Sequence, residues 1–87
     1  MTTEIVVVTA PNGLHARPGG EIVKTAKSFP DSVVTVTSGE KTVKATSMLS
    51  ILSLGLTKGA EVEIRADGGD EDEAVKAIVN LIQSITE

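Results

Sequence analysis

The segment from Glu61 to Ala66 alternates between charged and apolar residues, and it constrains the fold more than any other part of the chain. An extended strand places Val62, Ile64 and Ala66 on one face and the three charged side chains on the other. A sheet built around such a strand has one buried face and one exposed face. We therefore expect a fold with two layers, in which the sheet is covered on one side only.

Three further segments predict strands. Residues 3–9 are rich in β-branched side chains and end in a run of turn-forming residues at 10–13. Residues 33–37 and 41–44 alternate apolar and polar side chains on either side of a turn at 38–40. This pattern predicts a β-hairpin.

Two segments with helical spacing lie between these strands. The first runs from Ala16 to Ser28 and is closed by Pro30. The second is an apolar segment of at most two turns, which either Thr46 or Ser47 can cap and which ends near Gly55. The sequence therefore predicts one full helix and one very short helix.

A third helix is predicted near the C-terminal end of the sequence. Asp70 precedes Glu73 by three residues, as in a capping box, and an apolar stripe runs from Val75 to Ile85. The acidic run at residues 70–73 suits the positive end of the helix dipole, so we interpret it as a solvated cap rather than as a catalytic pair.

The resulting order, β-α-β-β-α-β-α, predicts the α+β class. Each helix needs one face buried, and the strands can leave one face in solvent. We expect a two-layer open-faced sandwich, with a four-stranded, mainly antiparallel sheet and three helices on one face. A chain of 87 residues is expected to form one domain, over residues 1–87.

The composition excludes several functional classes. The chain has no cysteine and a single histidine, so we expect neither a metal site nor a cofactor. Phe29 is the only aromatic residue and the net charge is −4, which argues against nucleic-acid binding. No apolar stretch approaches the roughly 20 residues of a membrane helix, and no signal-peptide pattern is evident. We expect a cytoplasmic monomer.

His15 lies where the strand-forming sequence gives way to the first helix. A helix N-terminus offers unpaired N–H groups and a partial positive charge, which bind anions and disfavour a protonated imidazole. Arg17 supplies a planar charged fork for phosphate oxygens, and Pro18 is compatible with the first helical turn. These residues favour a neutral, nucleophilic ring that holds a phosphoryl group. An ordinary structural or surface histidine is the alternative interpretation.

Two blocks of the sequence have a specific pattern. They are Pro-Asn-Gly-Leu-His-Ala-Arg-Pro at residues 11–18 and Ser-Leu-Gly-Leu-Thr-Lys-Gly at residues 53–59. Both resemble the HPr family, the histidine-containing phosphocarriers of the bacterial phosphoenolpyruvate-dependent sugar phosphotransferase system. The similarity extends over essentially all 87 residues. The resemblance implies a carrier with a phosphohistidine intermediate rather than an enzyme.

The resemblance also assigns roles to residues of the first block. It implies that His15 accepts a phosphoryl group on Nδ1 from enzyme I and passes it to a sugar-specific enzyme IIA. It implies that Arg17 neutralises this group and that the backbone N–H groups of Ala16 and Arg17 hold its oxygens. Pro18 completes the predicted site by fixing the junction between loop and helix.

A shallow apolar surface that contacts both partners is a further implication of the resemblance. This docking surface corresponds to Ala16, Gly20, Met48, Leu49 and Leu52, with Lys24 and Lys27 at its edge for acidic partners. Because a six-residue helix cannot bury every apolar side chain, we expect Met48 or Leu49 to be exposed. Gly19 and Gly20 depart from the family pattern, and each should weaken the first helix by about 1 kcal/mol relative to alanine.

A regulatory site is suggested by the same resemblance. In many relatives from low-GC Gram-positive bacteria, the HPr kinase/phosphorylase modifies a serine that caps the short second helix, and Ser47 resembles this serine. A phosphate there would place negative charge on the docking surface and weaken binding to an acidic enzyme I. Thr46 stands where many relatives carry lysine, which leaves the register open. The alternative is a simple N-cap worth about 1 kcal/mol.

Two other functions are compatible with parts of the sequence. A nitrogen-branch paralogue in a regulatory phosphorelay would use the same chemistry at His15 and differ only in its partners. A small acyl-phosphate hydrolase would use Arg17 to hold phosphate and Asn12 to orient water, but it would not need a nucleophilic histidine.

Overall fold

The computed structural model describes residues 1–11, 13 and 16–84. The secondary-structure elements are β1 (Thr2–Val7), α1 (Ala16–Lys27), β2 (Val33–Ser38), β3 (Lys41–Lys44), α2 (Met48–Ser53), β4 (Glu61–Asp67) and α3 (Glu71–Ser84). Their order is the predicted one, and the fold belongs to the predicted α+β class. The apolar stripe of the third helix was predicted to reach Ile85, which lies outside the described residues.

The four strands form one antiparallel sheet in the order β1-β4-β2-β3. The central strand β4 pairs Val62 with Val6 of β1 and Ile64 with Val36 of β2. Its apolar face is buried, as the alternating pattern predicts. The helices cover this face, so the open-faced sandwich is confirmed.

The core lies between the inner face of the sheet and the helices. α3 contributes the largest buried stripe, which supports the helical periodicity read from the sequence. The buried core residues of the sheet, α1 and α3 are Val6, Val34, Val36, Val62, Ile64, Ala66, Ile22, Ala26, Ala74, Val75, Ile78, Val79 and Ile82.

The outer sheet face is open to solvent. Ile5 is 59% exposed and Val33 is 58% exposed, although both are strong β-formers. Their neighbours across the sheet are charged, because Ile5 pairs with Glu63 and Val33 pairs with Asp67. We define the outer sheet face by these four residues together with Arg65.

β1 ends two residues before Thr9, where the predicted strand ended. The amide of Val8 still donates to the carbonyl of Ala60 at 2.8 Å, and the carbonyl of Val8 accepts from the amide of Gly59 at 2.7 Å. The amide of Ala60 instead donates to the carbonyl of Thr57 at 3.0 Å, which closes a turn. This turn interrupts the regular ladder while keeping Val8 attached to the end of the sheet.

The carboxylate contact at the start of α3 differs from the predicted capping box, which paired Asp70 with Glu73. Glu71, rather than Glu73, accepts a hydrogen bond from the amide of Gly68 at 2.8 Å. Its other oxygen accepts from the N-terminal ammonium of Met1 at 2.7 Å. The hydrogen bond from this ammonium, followed by the one from Gly68, lowers the pKa of Glu71 below its usual value.

Candidate functional site

The site predicted around His15 lies at the start of α1. His15 itself, and Asn12 of the hydrolase alternative, lie outside the described residues. α1 begins at Ala16, the residue that follows the histidine in the sequence. Arg17 is exposed in the first turn. Pro18 is less than 2% exposed. The helix start therefore combines a buried proline ring with an exposed arginine.

The start of α1 has positive electrostatic character. The first turn contains no acidic residue, so no carboxylate within it offsets the positive end of the helix dipole. Arg17, Gly20, Lys24 and Lys27 follow each other at intervals of three or four residues and therefore share one face of the helix. Both lysines are exposed. This arrangement suits a phosphoryl group at the helix start and an acidic partner along the helix.

Gly13 holds the loop that precedes α1 against another part of the chain. Its φ is +68°, and its amide donates to the carbonyl of Ala10 at 3.0 Å. A Cβ at this position would come within 2.2 Å of the Leu56 carbonyl oxygen. Gly13 thus lies against the backbone of the second family-like block, a contact that the sequence did not predict. The available signal was the position of Gly13 at the end of a turn-forming run.

α1 and α2 meet at the two glycines that depart from the family pattern. A Cβ at Gly19 would lie 3.5 Å from Cδ2 of Leu52, and a Cβ at Gly20 would lie 4.0 Å from Sδ of Met48. Both distances correspond to ordinary van der Waals contact. The glycines are therefore not required by a close approach of the two helices.

The residues of the proposed docking surface lie at this junction. Leu49 is 83% exposed and Met48 is 37% exposed, which confirms the expected exposure. Leu52 is half-buried, and Ile51 anchors α2 in the core. The structure thus brings Gly20, Met48 and Leu52 together beside the basic face of α1. The side chain of Ala16 lies outside the description.

Ser47 is the N-cap of α2. Its φ of −112° and ψ of 109° are extended, its Oγ accepts from the amide of Ser50 at 3.4 Å, and its carbonyl accepts from the amide of Ile51 at 3.1 Å. Thr46 is exposed and lies one residue outside this cap. Of the two residues predicted to cap α2, Ser47 occupies the N-cap position.

Within residues 1–11, 13 and 16–84, no group of three or more metal-ligating side chains comes together. In the same part of the chain, no helix has the length and apolar character needed to cross a membrane.

Comparisons with known proteins agree with this fold. The PTS-HPr family model, described as the PTS HPr component phosphorylation site, matches residues 2–84. The chain is 45% identical over 85 residues to the phosphocarrier protein HPr of Haemophilus influenzae, covering 98% of this chain and 99% of that protein. It is 45% identical over 80 residues to the HPr of Vibrio cholerae, covering 92% of this chain and 93% of that protein.

A solved structure extends the agreement to three dimensions. The crystal structure of HPr-C-His from Thermoanaerobacter tengcongensis matches with a TM-score of 0.91 and 42% identity, covering 97% of this chain and 93% of that chain. Sequence and fold therefore agree over almost the whole length of the protein. The chain belongs to the HPr family, the phosphocarrier proteins of the phosphotransferase system.

Proposed function

We propose that the protein carries a phosphoryl group on His15, which it accepts from phospho-enzyme I and passes to a sugar-specific enzyme IIA. The observation that carries the proposal is the start of α1 at Ala16, which puts the only histidine of the sequence directly before a helix N-terminus that carries an exposed Arg17. Family membership supports the same assignment. No cofactor enters the proposed reaction.

The proposed step is an in-line displacement at phosphorus. The lone pair of His15 Nδ1 forms the new N–P bond while the N–P bond to the phosphohistidine of enzyme I breaks, and the departing nitrogen keeps the bonding electrons. Negative charge on the three phosphoryl oxygens is stabilised by Arg17 and by the backbone N–H groups of Ala16 and Arg17. Transfer to enzyme IIA repeats the displacement, with His15 as the departing group.

Partner binding is proposed to occur on the docking surface. Exposed Leu49 and Met48 supply apolar contact, while Lys24 and Lys27 attract acidic partners. Both partners must reach the same histidine in succession, so each complex has to be transient. We propose that the protein acts as a monomer in the cytoplasm, without binding nucleic acid or inserting into a membrane.

Phosphorylation with enzyme I and phosphoenolpyruvate tests this function. We expect one phosphate per chain that is labile in acid and stable in alkali, as a phosphohistidine is, and no label on the His15→Ala variant. Circular dichroism should show that this variant retains its fold. An acid-stable label, or labelling of the variant, would contradict the assignment.

Regulation at Ser47 is a second part of the proposal. The half-buried Oγ of Ser47 lies at the start of α2, next to the exposed Met48 and Leu49. A phosphate added by an HPr kinase/phosphorylase would put negative charge beside the docking surface and repel an acidic enzyme I. The Ser47→Asp variant should therefore be phosphorylated more slowly by enzyme I.

The Thr46→Asp variant is the matched control for register, because Thr46 is exposed and lies outside the cap. We expect it to be slowed less than Ser47→Asp. Equal rates for Ser47→Asp and the wild type would remove the reason to assign regulation to this serine.

The nitrogen-branch alternative shares the chemistry and differs in the acceptor. Transfer from the phosphorylated protein to a sugar-specific IIA, compared with transfer to a nitrogen-branch IIA, distinguishes the two branches. Membership of the HPr family leaves the acyl-phosphate hydrolase without support.

A further inference from the structure

We infer that Gly13 is a positioning residue for phosphoryl transfer, because its contact with the backbone of residues 56–57 fixes the point from which the chain proceeds to His15. The inference rests on the proposed phosphorylation of His15. It extends the proposed function to a residue that belongs to neither the predicted site at residues 15–18 nor the docking surface.

The contact of Gly13 leaves no space for any side chain. A Cβ would approach the Leu56 carbonyl oxygen to 2.2 Å and the Thr57 Cα to 2.9 Å. Both are backbone atoms, so no change of rotamer can relieve the overlap. The φ of +68° independently disfavours every L-residue with a side chain. Gly13 is therefore required for two separate reasons.

The backbone against which Gly13 packs is itself held in place. The amide of Ala60 donates to the carbonyl of Thr57 at 3.0 Å and closes the turn over residues 57–60. This turn is joined to the end of β1 by the two hydrogen bonds of Val8, to Gly59 and Ala60, at 2.7 and 2.8 Å. Residues 56–57 cannot retreat from a larger residue at position 13 without disturbing these bonds.

A second anchor lies on the other side of the histidine. Pro18 is less than 2% exposed, and Gly19 lies beside Leu52. The chain must therefore pass from Gly13 to Pro18 in five residue steps between two fixed points. Gly13 lies two positions before His15 in the sequence, so we expect a displacement there to misplace the histidine. A misplacement of about 1 Å can slow a positioned reaction by about a hundredfold.

A second turn glycine, Gly39, allows the positioning role of Gly13 to be distinguished from a requirement for positive φ alone. Gly39 has a φ of +62°, close to that of Gly13, yet a Cβ there would meet nothing within 4 Å. It lies in the turn between β2 and β3 and belongs to neither the proposed site nor the docking surface. Gly39→Ala is therefore a matched control for the backbone cost alone.

The test compares steady-state phosphorylation of Gly13→Ala, Gly39→Ala and the wild-type protein by enzyme I and phosphoenolpyruvate. For Gly13→Ala we expect kcat to fall by roughly tenfold to a hundredfold, since the histidine is displaced. KM should change by less than about twofold, because the docking surface is untouched. Gly39→Ala should lose stability and keep both kinetic constants.

The outcomes distinguish this inference from the proposed function. If the wild-type protein takes no phosphate on His15, both fail together. If it does and folded Gly13→Ala keeps the wild-type kcat, or changes only in KM, the positioning role alone is overturned.

Hydrogen exchange of the wild-type protein covers the case in which Gly13→Ala does not fold. The Gly13 amide, which donates to Ala10, should be protected. Protection supports the inference, and exchange at the rate of an unstructured chain overturns it.

Discussion

The docking surface and the outer sheet face both expose large apolar side chains, but they differ in their surroundings. Leu49 on α2 is 83% exposed and Ile5 on β1 is 59% exposed. Leu49 follows Met48, whose Sδ lies beside Gly20 of α1. Ile5 instead pairs across the sheet with Glu63. Exposure alone therefore does not identify a functional surface. The neighbouring helix N-terminus and the sign of the charge distinguish the two.

The two arginines of the sequence give the sharpest test of this comparison. Arg17→Ala should slow phosphorylation of His15 by about a hundredfold, because the charge that we propose stabilises the phosphoryl oxygens is lost. Arg65, on the outer sheet face, donates from Nε to Asp67 Oδ2 at 3.1 Å in an exposed pair. Arg65→Ala should change the rate by less than about twofold, since exposed ion pairs contribute little. Equal effects in the kinetic assay would contradict the distinction between the two faces.

Truncation of the exposed apolar residues compares the same faces by partner binding. Leu49→Ala should raise KM for enzyme I by about fivefold, corresponding to about 1 kcal/mol of lost contact. Ile5→Ala should leave KM unchanged. Because the Leu49 side chain is exposed, chemical denaturation should show that Leu49→Ala changes the free energy of unfolding by less than about 0.5 kcal/mol. A larger effect on KM from Ile5→Ala would move partner binding to the sheet.

Alanine substitutions at two glycines, Gly20 of the docking surface and Gly39 of the turn between β2 and β3, should change the free energy of unfolding in opposite directions. Gly20→Ala should raise the free energy of unfolding by about 0.5 to 1 kcal/mol, because alanine favours the helix and its Cβ would lie 4.0 Å from Met48 Sδ. Gly39→Ala should lower it, because φ is +62°. Thermal unfolding measures both changes. Destabilisation by Gly20→Ala would show that α1 needs a glycine there for packing.

The smallest expected effect concerns the contact between the N-terminus and Glu71. The hydrogen bond to the ammonium lowers the pKa of Glu71, so its contribution is present above the ordinary carboxyl pKa and is lost as the pH falls through the lowered value. The hydrogen bond to Glu71 raises the pKa of the Met1 ammonium above 8.0, so that contribution is lost as the pH rises through the raised value.

Glu71→Gln should therefore reduce stability between these two limits and match the wild-type protein beyond them. Urea unfolding over a pH series measures the difference, which should be small because the ammonium is exposed and the Glu71 side chain is partly accessible to solvent. Glu73→Gln is the control, because Glu73 is exposed and is not the carboxylate that contacts Gly68. A difference between Glu71→Gln and the wild type that does not depend on pH would contradict this assignment.

Much of the fold could be predicted because local patterns determine it. The alternation in β4, the hairpin turn at Gly39 and the stripe of α3 each depend on residues close together in sequence. The exposure of Ile5 could not be predicted, because β1 is β-branched on both faces and gives no alternation. The end of β1 could not be predicted from the local sequence either, because the ladder is interrupted where the amide of Ala60 donates to the carbonyl of Thr57.

For the candidate site, the sequence suggested residues but not the contacts around them. It proposed Arg17 and Pro18, and it restricted the α2 cap to Thr46 or Ser47. The contact of Gly13 with Leu56 joins residues 43 positions apart, and only the folded chain brings them together. Gly19 and Gly20 were recognised as unusual, but their distances from Leu52 and Met48 required the packed helices.

The central claim is that His15 holds a phosphoryl group only in order to pass it on. The most direct test is to purify the phosphorylated protein away from enzyme I, add a IIA acceptor and follow the label. We predict that the label leaves this protein and appears on the acceptor, with little inorganic phosphate released. Release of the label as inorganic phosphate at the same rate with and without the acceptor would contradict the account.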